Sequence, residues 1–285
     1  MDMPIFARAH DLHAFLATWR QRGKRIALVP TLGNLHAGHY SLVALAHQHA
    51  DVVVASVFVN PTQFGPNEDF ARYPRTPDAD AAGLAASGCD ALFMPAVAEM
   101  YPYGPAHTVR VSVPGFEHVL EAAVRPGHFE GVATVVAKLF NLVQPDVAVF
   151  GRKDYQQLLV IRRLARDLAY PIEIVDAPTL REANGLAMSS RNQYLDADQR
   201  QRAATIHATL QWMRETVRTG ARKLRDIESE AEARLRTDGF EPDYAAIRRA
   251  DDLAVPASGE SRPLIGLIAA RLGSTRLIDN LLLTE

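Results

Sequence analysis

Residues 26–39 read Ile-Ala-Leu-Val-Pro-Thr-Leu-Gly-Asn-Leu-His-Ala-Gly-His. Ile26 to Pro30 is a short unbroken apolar run with a glycine turn behind it, the pattern of a strand buried on both faces. His36 and His39 lie three residues apart where a helix should begin, so they share a face. A helix start carries unpaired N–H groups and the positive end of the helix dipole, which suits phosphate. Gly33 and Gly38 would let main chain approach a ligand closely. The stretch therefore predicts strand, turn and helix, with two imidazoles placed to stabilise charge growing on phosphorus. The pair alone could equally be one packed and one exposed histidine; the strand and glycine turn before it favour the phosphate reading. The stretch is neither a P-loop nor a G-x-G-x-x-G turn, and no third residue nearby has zinc-ligand spacing.

Outward from this point strand and helix signals alternate. Helical patterns cover 41–50, 78–87, the apolar face Val132 to Val143, and 155–168. Apolar strands are expected at 52–59, 90–94, 146–150 and 172–175. Repeated β-α-β units with apolar strands mean a parallel sheet covered on both faces. Residues 1–177 are thus expected to form a Rossmann-like, doubly wound α/β domain, binding ligands beyond the carboxyl ends of its strands. After about Pro178 the pattern changes. Helices at 197–219 and 224–237 and short strands at 244–248, 264–270 and 276–280 predict a smaller C-terminal α+β lid domain, 178–285.

Composition narrows the function. The chain has 285 residues, 48% hydrophobic, with 31 basic and 33 acidic side chains and a net charge of −2. So weak a field argues against nucleic acid or a membrane surface as a partner held by bulk charge. Cys89 is the single cysteine, which excludes a disulfide framework and cysteine-rich zinc sites, and it reads as a small buried residue. Nothing resembles a signal peptide or an apolar run of about 18 residues, so a cytoplasmic protein is expected. Of the 31 basic residues only Lys24, Lys138, Lys153 and Lys223 are lysine, so lysine is a marked choice wherever it stands.

Four further segments are candidates for chemistry. Asn60-Pro61-Thr62-Gln63-Phe64 ends the second strand at the ligand-binding edge, where Gln63 offers a neutral amide. Gly151-Arg152-Lys153-Asp154 is a second strand-to-helix switch. There Lys153 supplies a compact charge, Asp154 caps the helix or orients a nucleotide or metal-bound water, and Gln157 falls one turn beyond Lys153. Met188-Ser189-Ser190-Arg191 follows a flexible Asn184-Gly185 approach; its hydroxyls and arginine suit a triphosphate, or simply a polar interdomain loop. Arg125-Pro126-Gly127-His128 places two potentially cationic side chains in a turn, either to bind an anion or to shape the turn.

His36-Ala37-Gly38-His39 has the form of the HxGH signature of the adenylyl-transferring superfamily that includes class I aminoacyl-tRNA synthetases. The longer strings PTLGNLHAGH, FVNPTQF, RYPRTPDAD, RPGHFEGV, LFNLVQPDVAVFGRKDYQQL and GLAMSSRNQYL, in that order, closely resemble the pantothenate synthetase (pantoate–β-alanine ligase) family along essentially the whole chain. The resemblance implies a ligase that joins pantoate to β-alanine through a pantoyl-adenylate, using ATP and Mg²⁺ held by the ATP phosphates, and releasing AMP and pyrophosphate. It also implies a cytoplasmic homodimer. It assigns ATP to Leu32, Gly33, Asn34, Leu35, His36, Ala37, Gly38 and His39; to Gly151, Arg152, Lys153 and Asp154; and to Leu180, Met188, Ser189, Ser190 and Arg191. His39 becomes the proton donor, with His36 and Lys153 beside it in catalysis. Gln63 and Gln157 become the residues for pantoate and β-alanine. Two positions depart from the family pattern: Arg152 stands where an acidic residue is commoner, and Leu32 where methionine is frequent. The alternatives are a nucleotidyltransferase of the same superfamily and a nucleotide-binding sensor without chemistry. The paired histidines with Gln63 and Gln157 count against the sensor, and the lack of an anticodon-binding domain or basic face counts against a tRNA synthetase.

Overall fold

The computed structural model describes residues 3–66, 68, 70–257 and 259–284. In chain order the first part contains β1 (Ile5–Phe6), α1 (Ala9–Arg20), β2 (Ile26–Thr31), α2 (Ala37–Ala46), β3 (Val52–Val57), α3 (Pro77–Ala86) and β4 (Ala91–Phe93). It continues with α4 (Val97–Met100), α5 (Glu121–Val124), α6 (His128–Val143), β5 (Val147–Gly151), α7 (Tyr155–Asp167) and β6 (Glu173–Ala177). All six strands form one parallel sheet in the order β1-β4-β3-β2-β5-β6. The parallel arrangement follows from the chain: each strand is followed by a helix that returns it to the same end.

Strand polarity explains the two covered faces. Ala27, Val29, Val53, Ala55, Val57, Val147 and Val149 point into one apolar layer with Leu42, Val43 and Ala46 of α2 and Leu84 of α3. The alternate residues Leu28, Val52, Val54, Ala148 and Phe150 are equally buried and turn the other way, where α6 packs on β2 and α1. Each fully buried Val, Leu or Phe side chain here contributes about 1.5–3 kcal/mol. Cys89 is buried in the first layer, and burial pushes its thiol up to about 11.

The sheet order also locates the ligand edge. From β2 the chain builds outward through β3 to β4, then returns to lay β5 on the other side of β2. The carboxyl ends of β2 and β5 therefore flank the switch point of the sheet, where open α/β sheets bind ligands.

By packing, the chain divides into two units: Met1–Arg152 with Val160–Pro178, and Lys153–Leu159 with Thr179–Glu285. The second unit contains α8 (Ala197–Arg202), α9 (Thr205–Thr219), α10 (Leu224–Thr237), β7 (Glu241–Arg249), β8 (Leu264–Leu272) and β9 (Thr275–Leu282). These strands form an antiparallel sheet, β7-β8-β9. Its core joins Ile206, Leu210 and Met213 of α9, Ile227 and Leu235 of α10, and Ile247, Ile268 and Leu277 of the sheet. Among the described residues no helix is long and apolar enough to cross a membrane.

Candidate active site

The turn after β2 is held by a residue far along the chain. Gly33 has φ +87° and Asn34 φ +52°, the left-handed region that only glycine enters without strain and asparagine tolerates. The carboxylate of Asp80, on α3, accepts the Asn34 N–H at 2.9 Å and the Leu35 N–H at 2.8 Å, and Thr76 Oγ1 donates to it at 3.1 Å. Asp80 is 2% exposed. A side chain at Gly33 would meet Asp80 Oδ2 at 3.0 Å and Val57 Cγ1 at 3.1 Å. Gly33 thus answers to φ and to Asp80. The main-chain N–H groups of Asn34 and Leu35 are already committed to a carboxylate.

Helix α2 is capped by the two histidines themselves. His36 Nδ1 accepts the Gly38 N–H at 3.1 Å, and His39 Nδ1 accepts the His36 N–H at 3.3 Å. The His39 N–H bonds the His36 carbonyl at 2.8 Å. The expectation of unpaired N–H groups here fails at Gly38 and His39, because the protein closes its own cap. This has a chemical consequence. With Nδ1 an acceptor in both rings, each neutral imidazole carries its proton on Nε2. The rings lie 4.1 Å apart between centroids, tilted by 44°, and both are half-buried. Leu32 is half-buried and Ala37 exposed.

The end of β3, next to β2, holds the second cluster. Pro61–Gln63 is one 3₁₀ turn capped by Asn60, which is completely buried. Asn60 Oδ1 accepts Tyr101 OH at 2.6 Å, Thr62 Oγ1 at 3.0 Å and the Thr62 N–H at 3.3 Å. Asn60 Nδ2 donates to the Gly131 carbonyl at 3.1 Å and to Gln63 Oε1 at 3.0 Å. Gln63 is buried, not the solvated turn residue its position in a loop would suggest. Its main-chain carbonyl accepts His128 Nδ1–H at 2.8 Å. Helix α6 reaches this turn through Gly131: a Cβ there would lie 2.2 Å from the Thr62 carbonyl oxygen.

Arg125 and His128 resolve toward the turn-shaping alternative. Arg125 grips Glu68 through Nε at 2.9 Å and Nη2 at 2.6 Å, and its Nη1 faces His128 Nε2 at 3.0 Å. Burial first, then the charge of Arg125, lowers the His128 pKa to about 4. His128 is therefore a neutral imidazole that braces Gln63, not a cation for an anionic ligand.

Beyond β5, Arg152 turns its guanidinium onto Asp176 of β6, with Nε at 2.8 Å, while Arg162 of α7 takes the other oxygen at 2.6 Å. Burial raises the Asp176 pKa, but the hydrogen bonds and charges of the two arginines outweigh it, and the net shift is downward. The arginine at this unusual position thus has its own counter-ion within the sheet.

The C-terminal unit holds the remaining expected residues. Lys153 Nζ lies 3.4 Å from Asp154 Oδ1, and the Lys153 carbonyl accepts Asn280 Nδ2 at 2.8 Å. Gln157, on the first turn of α7, is half-buried. The Leu180 carbonyl accepts the Met188 N–H at 2.9 Å, so both belong to one narrow hairpin. That hairpin is clamped by Arg181, whose guanidinium meets both oxygens of the buried Asp279 at 2.5 and 3.0 Å. Ser189 Oγ accepts the Arg191 N–H at 3.3 Å and caps the short helical turn Ser190–Tyr194. Met188, Ser189, Ser190 and Arg191 are all half-buried.

Asp80, Asn60 and Tyr101 are the structural discoveries among these residues. Asp80 and Asn60 stand inside the quoted strings RYPRTPDAD and FVNPTQF, but a string does not say what its members touch.

Comparison with known proteins agrees along the full length. The family model described as pantoate-beta-alanine ligase matches residues 4–282. A protein named pantothenate synthetase from Xylella fastidiosa (strain M12) is 61% identical over 271 residues, 95% of this chain and 96% of that protein. One of the same name from Xanthomonas campestris pv. campestris (strain B100) is 60% identical over 274 residues, again 95% and 96%. The crystal structure of pantothenate synthetase from Thermus thermophilus superposes with a TM-score of 0.92 at 46% identity, covering 99% of this chain and 100% of that one. A structure of pantoate-beta-alanine ligase from Francisella tularensis, complexed with beta-gamma ATP and beta-alanine, superposes with a TM-score of 0.82 at 32% identity, covering 99% and 98%.

Proposed function

The chain belongs to the pantoate–β-alanine ligase family, and from that premise we propose how its own residues carry out the condensation. The reaction is ATP-dependent: a pantoate carboxylate oxygen attacks the α-phosphorus, pyrophosphate leaves, and the β-alanine amine then displaces AMP from the acyl carbon. A free carboxylate is a poor electrophile, so the adenylate supplies the leaving group. The protein's tasks are to position the reactants and to neutralise charge on phosphate.

The observation that carries the assignment is the double Nδ1 commitment of His36 and His39. It puts the proton of each neutral ring on Nε2, the tautomer that can donate to phosphate oxygens as charge develops. We assign the two rings to the ATP phosphates, with His39 the expected proton donor once its ring is doubly protonated, which gives up its Nδ1 bond to the His36 N–H. Because Asp80 already takes the Asn34 and Leu35 N–H groups, the loop Leu32 to Gly38 holds ATP by its shape and by the imidazoles more than by those two amides. Lys153 adds a compact positive charge for the departing pyrophosphate, with Gly151, Arg152 and Asp154 lining the same segment. Leu180, Met188, Ser189, Ser190 and Arg191 are assigned to ATP as well. Gln63 and Gln157 hold pantoate, with β-alanine entering beside it. Neutral amides suit this task, since an arginine on the carboxylate would lower its nucleophilicity.

Mg²⁺ enters on this reading as part of MgATP. The family resemblance puts it on the ATP phosphates. A homodimer is also proposed, on family resemblance, and light scattering of the purified protein tests it.

The deciding experiment is an assay with ATP, Mg²⁺, pantoate and β-alanine, following AMP and pyrophosphate. His39→Ala should reduce pantoate-dependent ATP–pyrophosphate exchange by about 10²-fold or more, the scale for loss of one preorganised donor. Exchange within a few-fold of the unmodified protein would reject His39 as proton donor.

A further inference from the structure

We propose that Tyr101 is a positioning residue that braces Asn60 and, through it, holds the Gln63 amide in the orientation in which Gln63 meets its ligand as a hydrogen-bond donor. The inference rests on the proposed role of Gln63 and extends it.

Asn60 sits between main-chain groups of opposite kind. The Thr62 N–H can only donate and the Gly131 carbonyl can only accept. Asn60 must therefore turn Oδ1 to Thr62 and Nδ2 to Gly131, and Nδ2 then faces Gln63 Oε1. With Oε1 so occupied, the NH₂ end of Gln63 is the end turned away from Asn60. Two N–H donors suit an acceptor atom, a carboxylate or hydroxyl oxygen, and oppose a ligand that presents N–H in the same place.

The contacts differ in strength. The Thr62 N–H lies at 3.3 Å and Thr62 Oγ1 at 3.0 Å, whereas the Tyr101 hydroxyl reaches Asn60 Oδ1 at 2.6 Å. Tyr101 is 1% exposed, so water cannot take over its bond. Burial raises the phenol above its ordinary pKa against smaller opposing effects of Thr62 and Arg110, which keeps the proton that is donated. Lys138, one of the four lysines, places its ammonium 5.5 Å from the centre of the Tyr101 ring, a cation–π contact that steadies the ring. Removing the hydroxyl leaves Asn60 Oδ1 on its two longer contacts to Thr62, and the orientation of Gln63 loosens with it.

The test is a double-mutant cycle with Tyr101→Phe and Gln63→Ala, read by ATP–pyrophosphate exchange against pantoate and ATP concentration, with thermal unfolding as the folding control. Tyr101→Phe should raise half-saturating pantoate about five-fold, the scale of one lost neutral hydrogen bond, and leave half-saturating ATP unchanged. In the Gln63→Ala background the same substitution should add less than about two-fold, because coupled residues do not contribute twice. An unchanged pantoate dependence in Tyr101→Phe, or an undiminished effect in the Gln63→Ala background, overturns the proposal. Should Gln63→Ala itself leave pantoate dependence intact, the role of Gln63 falls and the proposal falls with it. Impairment by Gln63→Ala with a silent Tyr101→Phe removes the proposal alone. If Tyr101→Phe does not fold, Thr62→Val removes a neighbouring donor to the same Oδ1 and carries the test, with the same expected shift and the same refutation.

Discussion

Replacing Gly131 by alanine should separate stability from catalysis in a measurable way. The added Cβ would lie 2.2 Å from the Thr62 carbonyl oxygen, 2.5 Å from its carbon and 2.6 Å from Gln63 Cα. An ordinary carbon–oxygen contact is about 3.3 Å, so helix and turn must part by about 1 Å. The helix is the less yielding partner: twelve of the sixteen residues of α6 are buried, while the turn is a three-residue 3₁₀ segment. The turn moves, carrying Gln63 and stretching the Asn60–Gly131 hydrogen bond. Overpacking of this kind costs about 1–3 kcal/mol of stability. Misplacing a substrate-binding group by about 1 Å costs on the order of 10²-fold in rate. Urea unfolding gives the first quantity, and kcat/KM for pantoate in the exchange assay gives the second. The expected result is a folded protein with a modest loss of stability and a large loss of pantoate-dependent activity. Activity within three-fold of the unmodified protein, with the urea midpoint unchanged, would refute the claim that α6 sets the position of Gln63.

Three other perturbations test other parts of the structure. Asp80→Asn replaces one oxygen by an NH₂ group and leaves the Asn34 or Leu35 N–H without an acceptor; about 2–3 kcal/mol of stability should be lost, and an unchanged urea midpoint would show that the clamp is dispensable. His128 binds its proton more weakly when folded, at a pKa of about 4 against 6.5 in the unfolded chain. Its contribution is therefore complete above pH 6.5 and falls away toward pH 4, by up to about 3 kcal/mol; urea unfolding at a series of pH values should show this loss shrinking in His128→Gln, and identical curves would contradict it. Lys153→Arg tests whether a compact ammonium is needed where the chain otherwise chooses arginine: exchange should fall at least about ten-fold, and full activity would show that the lysine is not special.

How far the structure is legible in the sequence depends on the range of the interaction involved. Strands Ile26–Thr31, Val52–Val57 and Val147–Gly151 announce themselves because both faces are buried and each position must be apolar. The helix Pro77–Ala86 and the helix Leu224–Thr237 follow from their own composition and periodicity. The N-terminal helix Ala9–Arg20 lies outside the expected elements although Leu12, Phe15, Leu16 and Trp19 have helical spacing; the two-residue strand before it carries no local signal at all. A single helix expected over 197–219 is two helices, broken at Ala203 and Ala204. The segment contains no proline or glycine to explain a break. Beside the break, Thr205 Oγ1 reaches Asp238 Oδ2 at 2.6 Å and Arg202 reaches the Asp238 carbonyl, contacts from outside the segment that override its propensity. The site behaves in the same way. The histidine pair and Gln63 are visible in their strand-ending context. Their supports are not, because Asp80 and Tyr101 act on partners about forty residues away in sequence, and only the folded sheet brings them together.

The ion pairing of Arg152 bears on how such chains drift over generations. Asp176 shares its two oxygens between Arg152 and Arg162, so a change at one member alters what the others tolerate. An acidic residue at position 152, just past the end of β5, would set a second carboxylate against Asp176 of β6, with Arg162 alone to offset both. Loss of the carboxylate at position 176 would instead leave the guanidinium groups of Arg152 and Arg162 without the acceptor they share. Positions 152 and 176 are therefore coupled in charge: either substitution alone is penalised, and the two are tolerated best together, because one hydrogen-bonded triad links them.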